Sequence, residues 1–182
     1  MKKNYTHLIF LLFCLLLISC SIETVRENVN IEGEHGFNFM ESKQEWDELK
    51  TKNENSYFYI FLEQSFTGIG SETKITVERG KVISRHYEAY VISEEDGKKK
   101  TTFSYAEESK KDLGKHSEGA APVTMDELYR SCLAQYLIAD SDANRIYFET
   151  NEEGVMVLCG FVPFGCQDDC YRGITISQFS WM

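Results

Sequence analysis

The feature that most constrains the fold is a series of strand-like segments separated by short polar turns. Residues 57–62 form a continuous apolar and aromatic run of strand length, which is typical of a strand buried on both faces. Thr73, Ile75 and Val77 then alternate with polar residues, the period-two pattern of a strand with one buried face. The sequence therefore predicts a sheet in which residues 57–62 form a central strand.

Turn signals divide the rest of this region into further strands. Residues 78–81 predict a turn that returns the chain as a strand over 82–92. Asp96 and Gly97 predict the next hairpin, because an Asp-Gly pair tolerates the positive backbone angles of a tight turn. The strands that follow are predicted over 101–105, 145–150, 155–159 and 171–181.

Two capping-box patterns predict helices. Ser42 and Glu45 have the spacing that begins a helix, and Trp46 is predicted to anchor that helix to the core. Thr124 and Glu127 have the same spacing at the start of a second helix. The order helix, strands, helix, strands predicts the α+β class, with an antiparallel β-sheet and two helices packed on one face.

The N-terminal 20 residues have the pattern of an export signal. Lys2 and Lys3 precede a short apolar run that closes with Leu-Ile-Ser-Cys at 17–20. This ending resembles the lipobox of bacterial lipoproteins, in which the Cys thiol is linked to diacylglycerol, the preceding peptide bond is cut and the new amino terminus is acylated, as with palmitate. The resemblance implies that Cys20 becomes the first residue and carries the lipid.

This interpretation divides the chain into three parts and locates it in the cell envelope. Residues 1–19 are the cleaved signal peptide, 20–40 are expected to be a lipid-anchored flexible tether, and 41–182 are expected to be a single α+β domain. Ser21 is not the Asp associated with inner-membrane retention in some Gram-negative bacteria, which favours the outer membrane. The membrane contact is therefore expected to be the N-terminal lipid.

The charge of the chain argues against nucleic acid as a partner. Removing residues 1–19 takes away two lysines and no acidic residue, so 17 basic residues remain against 29 acidic residues. Nucleic-acid binding requires a basic surface that neutralises phosphates. A protein of the cell envelope is the partner class that the charge still allows.

Four cysteines remain in the mature chain, namely Cys132, Cys159, Cys166 and Cys170. In an oxidising envelope they predict two disulfides, for which three pairings are possible, whereas a zinc site and free thiols are the alternatives. The predicted topology favours Cys159 with Cys170, across the base of a long hairpin, and Cys132 with Cys166. A thiol-redox role for Cys166 and Cys170 lacks the C-x-x-C spacing that lowers a thiol pKa.

Short motifs extend from about Trp46 to Phe179. They comprise a helix with a Trp, an aromatic strand, a V-x-x-G-x-V turn, a T-[IM]-x-E-L helix, a V-x-[YF]-[DE] strand and a closing G-[YI]-T-[IV] strand. Together they resemble a family of bacterial lipoproteins whose single domain has no known function, and the resemblance implies no particular activity. The matching residues are Trp46; Tyr57 to Phe61; Val77, Gly80 and Val82; Thr124, Met125, Glu127 and Leu128; Ile146, Phe148 and Glu149; and Gly173, Ile174, Thr175 and Ile176.

No catalytic, metal-binding or cofactor motif stands out. His35, His86 and His116 are predicted to lie in a tether, a strand and a loop, outside any known nucleophile arrangement. Asp168 and Asp169 offer oxygen ligands, but two adjacent carboxylates usually point apart. The sequence therefore predicts no catalytic residue, metal or cofactor.

Aromatic residues favour a binding role. Phe161 and Phe164 lie in an apolar segment bracketed by cysteines, which predicts a binding loop unless both rings pack under the loop itself. The function predicted is a non-enzymatic protein- or ligand-binding module that acts through the sheet face or this loop. The alternative is an envelope hydrolase, or another enzyme, with residues from scattered strands and from the charged segment 107–122, which is either mobile or a binding loop.

Overall fold

The computed structural model describes residues 23–182, so the predicted signal peptide and Cys20 lie outside the described residues. Seven antiparallel strands form one sheet in the order β4-β3-β2-β1-β7-β6-β5, and β1 is the central strand, as predicted. The strands are β1 (Tyr57–Gln64), β2 (Ile69–Glu78), β3 (Lys81–Ile92), β4 (Lys99–Glu107), β5 (Asn144–Thr150), β6 (Met156–Pro163) and β7 (Arg172–Trp181).

Within residues 23–182, three helical segments accompany the sheet. They are α1 (residues 23–28), α2 (Phe39–Lys52) and α3 (Met125–Ser131), and α3 continues into a π-helical segment, Cys132–Tyr136. The α+β class is confirmed in this coarser form, with strands dominating. The packing of two helices on one face of the sheet stays a prediction.

One predicted helix start is confirmed and the other is wrong. Thr124 caps α3, and the Glu127 carboxylate accepts from the Thr124 amide at 2.7 Å. The capping box of α2 instead pairs Asn38 with Glu41. Ser42 lies within the first turn of α2, where its buried hydroxyl donates to the Gly154 carbonyl at 2.6 Å.

Trp46 anchors α2 to the centre of the sheet. It is fully buried, stacks on Trp181 of β7 at 5.5 Å and meets Tyr57 of β1 edge to face at 5.1 Å. Its indole N–H donates to the Asp126 carboxylate of α3 at 3.0 Å. Trp46 therefore connects α2 and α3 with β1 and β7, as predicted for a core anchor.

Residues 23–40 do not form the flexible tether predicted for 20–40. Asn28 is buried and donates from its amide nitrogen to the carbonyls of Leu137 and Ala139, at 2.8 and 3.0 Å. The Phe39 amide donates to the Val29 carbonyl at 3.1 Å. Polar composition predicted a solvated segment, but these side-chain and backbone bonds attach it to the domain.

The four cysteines form two disulfides, whereas the pairing favoured from the sequence is wrong. Cys132 pairs with the buried Cys159, and Cys166 pairs with Cys170. The strand β6 continues to Pro163, so Cys159 lies in mid-strand opposite Ile174 rather than at the base of a hairpin. From there it faces the segment that follows α3.

Candidate ligand-binding cleft

The two halves of β7 pair with different strands. The second half of this strand pairs with β1, from Tyr57 opposite Trp181 to Phe61 opposite Ile176. Its first half, Arg172 to Thr175, pairs with β6. Because β7 bulges opposite the Ile60–Phe61 step, the strands β1 and β7 separate beyond Phe61.

A cleft of about 980 Å³ lies where the two strands separate. Five consecutive residues of β1 and the following turn, Phe61 to Ser65, line this cleft. On the face of a strand only alternate residues share one side. A consecutive lining therefore means that the cleft runs along the edge of β1, while Ser71, Tyr87 and Ala89 extend it across one face of β2 and β3.

Both halves of the divided sheet contribute apolar side chains to the cleft. Tyr87 and Ala89 come from β3, and Tyr147 comes from β5. Leu158 and Val162 lie on β6, where they alternate with the core residue Cys159. The volume and the mostly apolar lining fall within the range of ligand sites in proteins.

Tyr171 closes the end of the cleft beside β7. It packs over Gly160 and Gly173, which lie opposite each other on β6 and β7. A Cβ atom at Gly173 would lie 2.7 Å from the Tyr171 hydroxyl and 2.3 Å from the Cys159 carbonyl, so only glycine fits. The Tyr171 hydroxyl donates to the Ile174 carbonyl at 2.9 Å, and burial raises the pKa of Tyr171. The ring is therefore a neutral, fixed wall.

The Cys166–Cys170 loop joins the rim of the cleft to the β1–β2 turn. The Asp169 carboxylate accepts from the Ser65 hydroxyl at 2.7 Å and from the Phe66 amide at 3.3 Å. Phe66 and Ile69 are exposed in this turn, by 75% and 59%. The disulfide and the Asp169 bonds thus hold an apolar rim beside the cleft.

The charge of the cleft is negative. Among the described residues that line it, the acids are Glu63 and Asp169, and neither Lys nor Arg contributes. The Glu63 carboxylate accepts from the Ser71 hydroxyl at 3.2 Å. These oxygens favour a ligand that brings hydrogen-bond donors or positive charge.

A separate buried ion pair anchors the charged segment 107–122. Arg85 of β3 and Glu107 of β4 are both buried, and Arg85 Nη1 lies 3.3 Å from Glu107 Oε2. Arg85 also donates to the carbonyls of His116 and Glu118. The Glu107 carboxylate accepts from the amides of Gly114 and His116, at 2.7 and 2.9 Å.

The pKa of Glu107 follows from these contacts. Burial alone raises the pKa, but the His116 and Gly114 amides, the His116 ring and Arg85 together lower it to about 2. Glu107 is therefore ionised at neutral pH, with its oxygens committed to the loop. The Arg85–Glu107 ion pair and its hydrogen bonds hold segment 107–122 in place.

An aromatic row continues from the cleft beneath this anchored segment. Tyr87 stacks on Tyr105 at 5.2 Å, and the His116 ring stacks on Tyr105 at 3.9 Å. The Tyr105 hydroxyl donates to the Glu118 carbonyl at 2.5 Å. Segment 107–122 is thus packed on the sheet.

The residues singled out from the sequence lie largely outside the cleft. Phe161 is a strand residue of β6 and not part of a loop, because β6 continues to Pro163. Phe164 follows β6 with 58% of its surface exposed, and neither Phe lines the cleft. Of the two adjacent acids, Asp169 reaches the cleft rim.

His86 and His116 each contact a carboxylate, and neither lines the cleft. His86 pairs at 3.4 Å with the exposed Glu108, and His116 contacts Glu107. Within residues 23–182, no three His, Cys, Asp or Glu side chains come together as metal ligands. No helix in the same range combines the length and hydropathy needed to cross a bilayer.

Sequence reasoning missed the residues that build the cleft. Leu62 and Leu158 carry no motif, Thr175 belongs only to the closing strand motif, and each becomes a wall only because β1 and β7 separate. Gly160 and Gly173 were the available signal, since glycines in neighbouring strands permit the close approach of another group.

Comparison with known proteins adds no relative. The chain matches no protein-family model, no curated protein and no solved structure.

Proposed function

We propose that this chain is a lipid-anchored protein of the cell envelope whose domain is a non-enzymatic ligand-binding module. The observation that carries the binding role is the cleft of about 980 Å³ between β1 and β7, with walls from both halves of the sheet. Concave, mostly apolar sites with a few polar groups are where ligands bind. The ligand class is an apolar or aromatic group with hydrogen-bond donors.

The chemistry of the cleft lining and of the separate Arg85–Glu107 pair supports binding over catalysis. A general base needs a pKa near the working pH and access to substrate. Glu107 has a pKa lowered to about 2 and lies buried beneath segment 107–122. Tyr171 is held neutral by burial and bonded to backbone. Glu63 and Asp169 accept from neighbouring hydroxyl and amide groups, which suits the recognition of a donor group.

Methyl NMR tests this role with indole, a small apolar probe that has one N–H donor. In the full-length protein in a neutral detergent, we expect saturable shifts of the Leu62, Leu158 and Val162 methyl signals. The methyl signals of Ile83, which is exposed on β3 outside the cleft lining, should stay in place. Leu158→Arg should abolish the saturable shifts, whereas the matched control Ile83→Arg should preserve them. Shifts that survive Leu158→Arg would refute the cleft as the binding site.

The lipid anchor is proposed from the segment that ends at Cys20. Wild-type protein from native membranes should lack residues 1–19 and carry the mass of a diacylglyceryl group and an amide-linked acyl chain. Cys20→Ala removes the only thiol in the lipobox-like ending, so it should gain no acyl mass and retain residues 1–19. Cys14→Ala is the control, because Cys14 lies inside the apolar run and should leave processing intact. Intact-mass spectrometry measures the wild type, Cys20→Ala and Cys14→Ala. An acyl mass on Cys20→Ala would contradict the proposal.

A further inference from the structure

We infer that the cleft receives an extended polypeptide segment, which adds as a strand beside β1 and carries apolar side chains and a basic residue. The inference rests on the proposed function and names the chemical class of the ligand.

The first argument is an unpaired strand edge within the cleft. The strand β1 pairs with β2 as far as Gln64 opposite Gly70, but it pairs with β7 only as far as Phe61. From Leu62 to Gln64, β1 therefore has a strand partner on one side only. A strand edge of this kind offers backbone N–H and C=O groups to an added strand.

The edge of β7 across the cleft is open in the same way. Gly173 and Thr175 pair with Gly160 and Leu158 of β6, and neither has a partner on β1. The separation of the two strands thus presents two facing edges instead of one. Exposed edges are normally protected by charge, proline or a covering segment, so two open edges inside an apolar cleft indicate an occupant of strand form.

The second argument is the two-sided lining. An extended segment directs alternate side chains to opposite faces. On one face of the divided sheet the cleft offers Phe61 and Tyr87, and on the other it offers Leu158 and Tyr171. Apolar side chains at alternate positions can therefore be buried on both sides. Four residues of β1 and its turn, Leu62 to Ser65, set a length of about 13 Å at roughly 3.3 Å per residue.

The third argument is charge. Glu63 and Asp169 line the cleft without a Lys or Arg among the described lining residues, and the chain carries a formal net charge of −10. Complementary charge selects partners and repels wrong ones. A basic residue in the bound segment matches these carboxylates, and an acidic segment is disfavoured.

The probe is a capped hexapeptide of five Val residues and one Lys at the third position, titrated by calorimetry into the full-length protein in neutral detergent. Two further peptides carry N-methyl groups on one or the other alternate set of backbone amides, and a fourth has Glu in place of Lys. We expect saturable binding of the unmodified peptide and at least tenfold weaker binding of at least one N-methylated form, because an added strand pairs one set of its amides with β1 and can pair the other set with β7. The Glu peptide should also bind at least tenfold more weakly.

Protein variants locate the bound peptide. Thr175→Trp should fill the cleft and abolish binding, whereas Gln178→Trp, on the exposed part of β7 outside the cleft lining, should not. Equal binding of both N-methylated peptides and the unmodified peptide overturns the strand inference. Absence of peptide binding while indole still shifts the cleft methyl signals also overturns it and leaves the proposed binding role intact. Absence of both signals refutes the proposed function itself.

Discussion

Replacing Glu107 with Gln is expected to lower the free energy of unfolding by about 3 kcal/mol, because it leaves the buried Arg85 guanidinium without its partner. The amide group that Gln introduces also brings N–H donors to a position that faces the Gly114 and His116 amides, which are donors themselves. Urea unfolding followed by the fluorescence of Trp46 and Trp181 measures the change.

Glu108→Gln is the matched control. Glu108 is the next residue, is exposed, and pairs with the exposed His86 at 3.4 Å. Exposed ion pairs contribute about 1 kcal/mol or less. Equal losses for Glu107→Gln and Glu108→Gln would show that the buried pair does not anchor segment 107–122.

The stability difference between the wild type and Glu107→Gln should depend on pH in a defined direction. The pKa of Glu107 is lowered from its ordinary 4.5 to about 2, so the folded state favours the ionised carboxylate. Its contribution to stability is fully present above about pH 4.5 and is lost as the pH falls towards 2. The difference in stability between the wild type and Glu107→Gln should therefore narrow over this window. A constant difference between pH 6 and pH 2.5 would contradict the assignment.

Removing the Cys132–Cys159 disulfide is expected to lower the free energy of unfolding by about 3.5 kcal/mol in the chain-entropy model. The bond links residues 27 apart and joins β6 to the segment that follows α3, with both sulfurs in the core. The double variant Cys132→Ala/Cys159→Ala should show this loss in urea unfolding. A smaller loss is expected for Cys166→Ala/Cys170→Ala, about 2 kcal/mol, since that bond spans only four positions.

Accessibility separates the two disulfides under native conditions. Cys166 and Cys170 lie in an exposed loop, whereas Cys132 and Cys159 are fully buried. A mild reductant followed by an alkylating agent should label Cys166 and Cys170 first, as read by peptide mass. Simultaneous labelling of all four thiols, or a larger loss of stability from the four-residue bond, would contradict this account of the core.

The sequence predicted well those strands and helix starts that depend on residues close together in the chain. The alternation around Ile75 and the capping box of Thr124 and Glu127 depend on residues within a few positions of each other, and both are confirmed. The strand β1 was assigned to the centre of the sheet because its apolar run requires burial on both faces, and the strand order confirms it.

Features that depend on distant residues were predicted poorly. Ser42 has the spacing of a helix cap, yet its hydroxyl bonds to Gly154, which is 112 positions away. The predicted strand ends at Cys159, but β6 continues to Pro163, so Cys159 lies in mid-strand. From there it pairs with Cys132. The cleft depends on the separation of β1 from β7, and apart from the glycine pair Gly160 and Gly173 no local sequence pattern indicates that separation.

The most direct test of the binding cleft is photo-crosslinking in the living cell at Ile69, an exposed isoleucine that lines the cleft. The photoreactive residue p-benzoylphenylalanine replaces Ile69 in one strain and Ile83, an exposed isoleucine outside the cleft, in another. The account predicts an adduct of discrete mass at position 69 that is lost with Leu158→Arg and is absent at position 83. Adducts of equal yield at both positions, or an adduct at position 69 that survives Leu158→Arg, would contradict it.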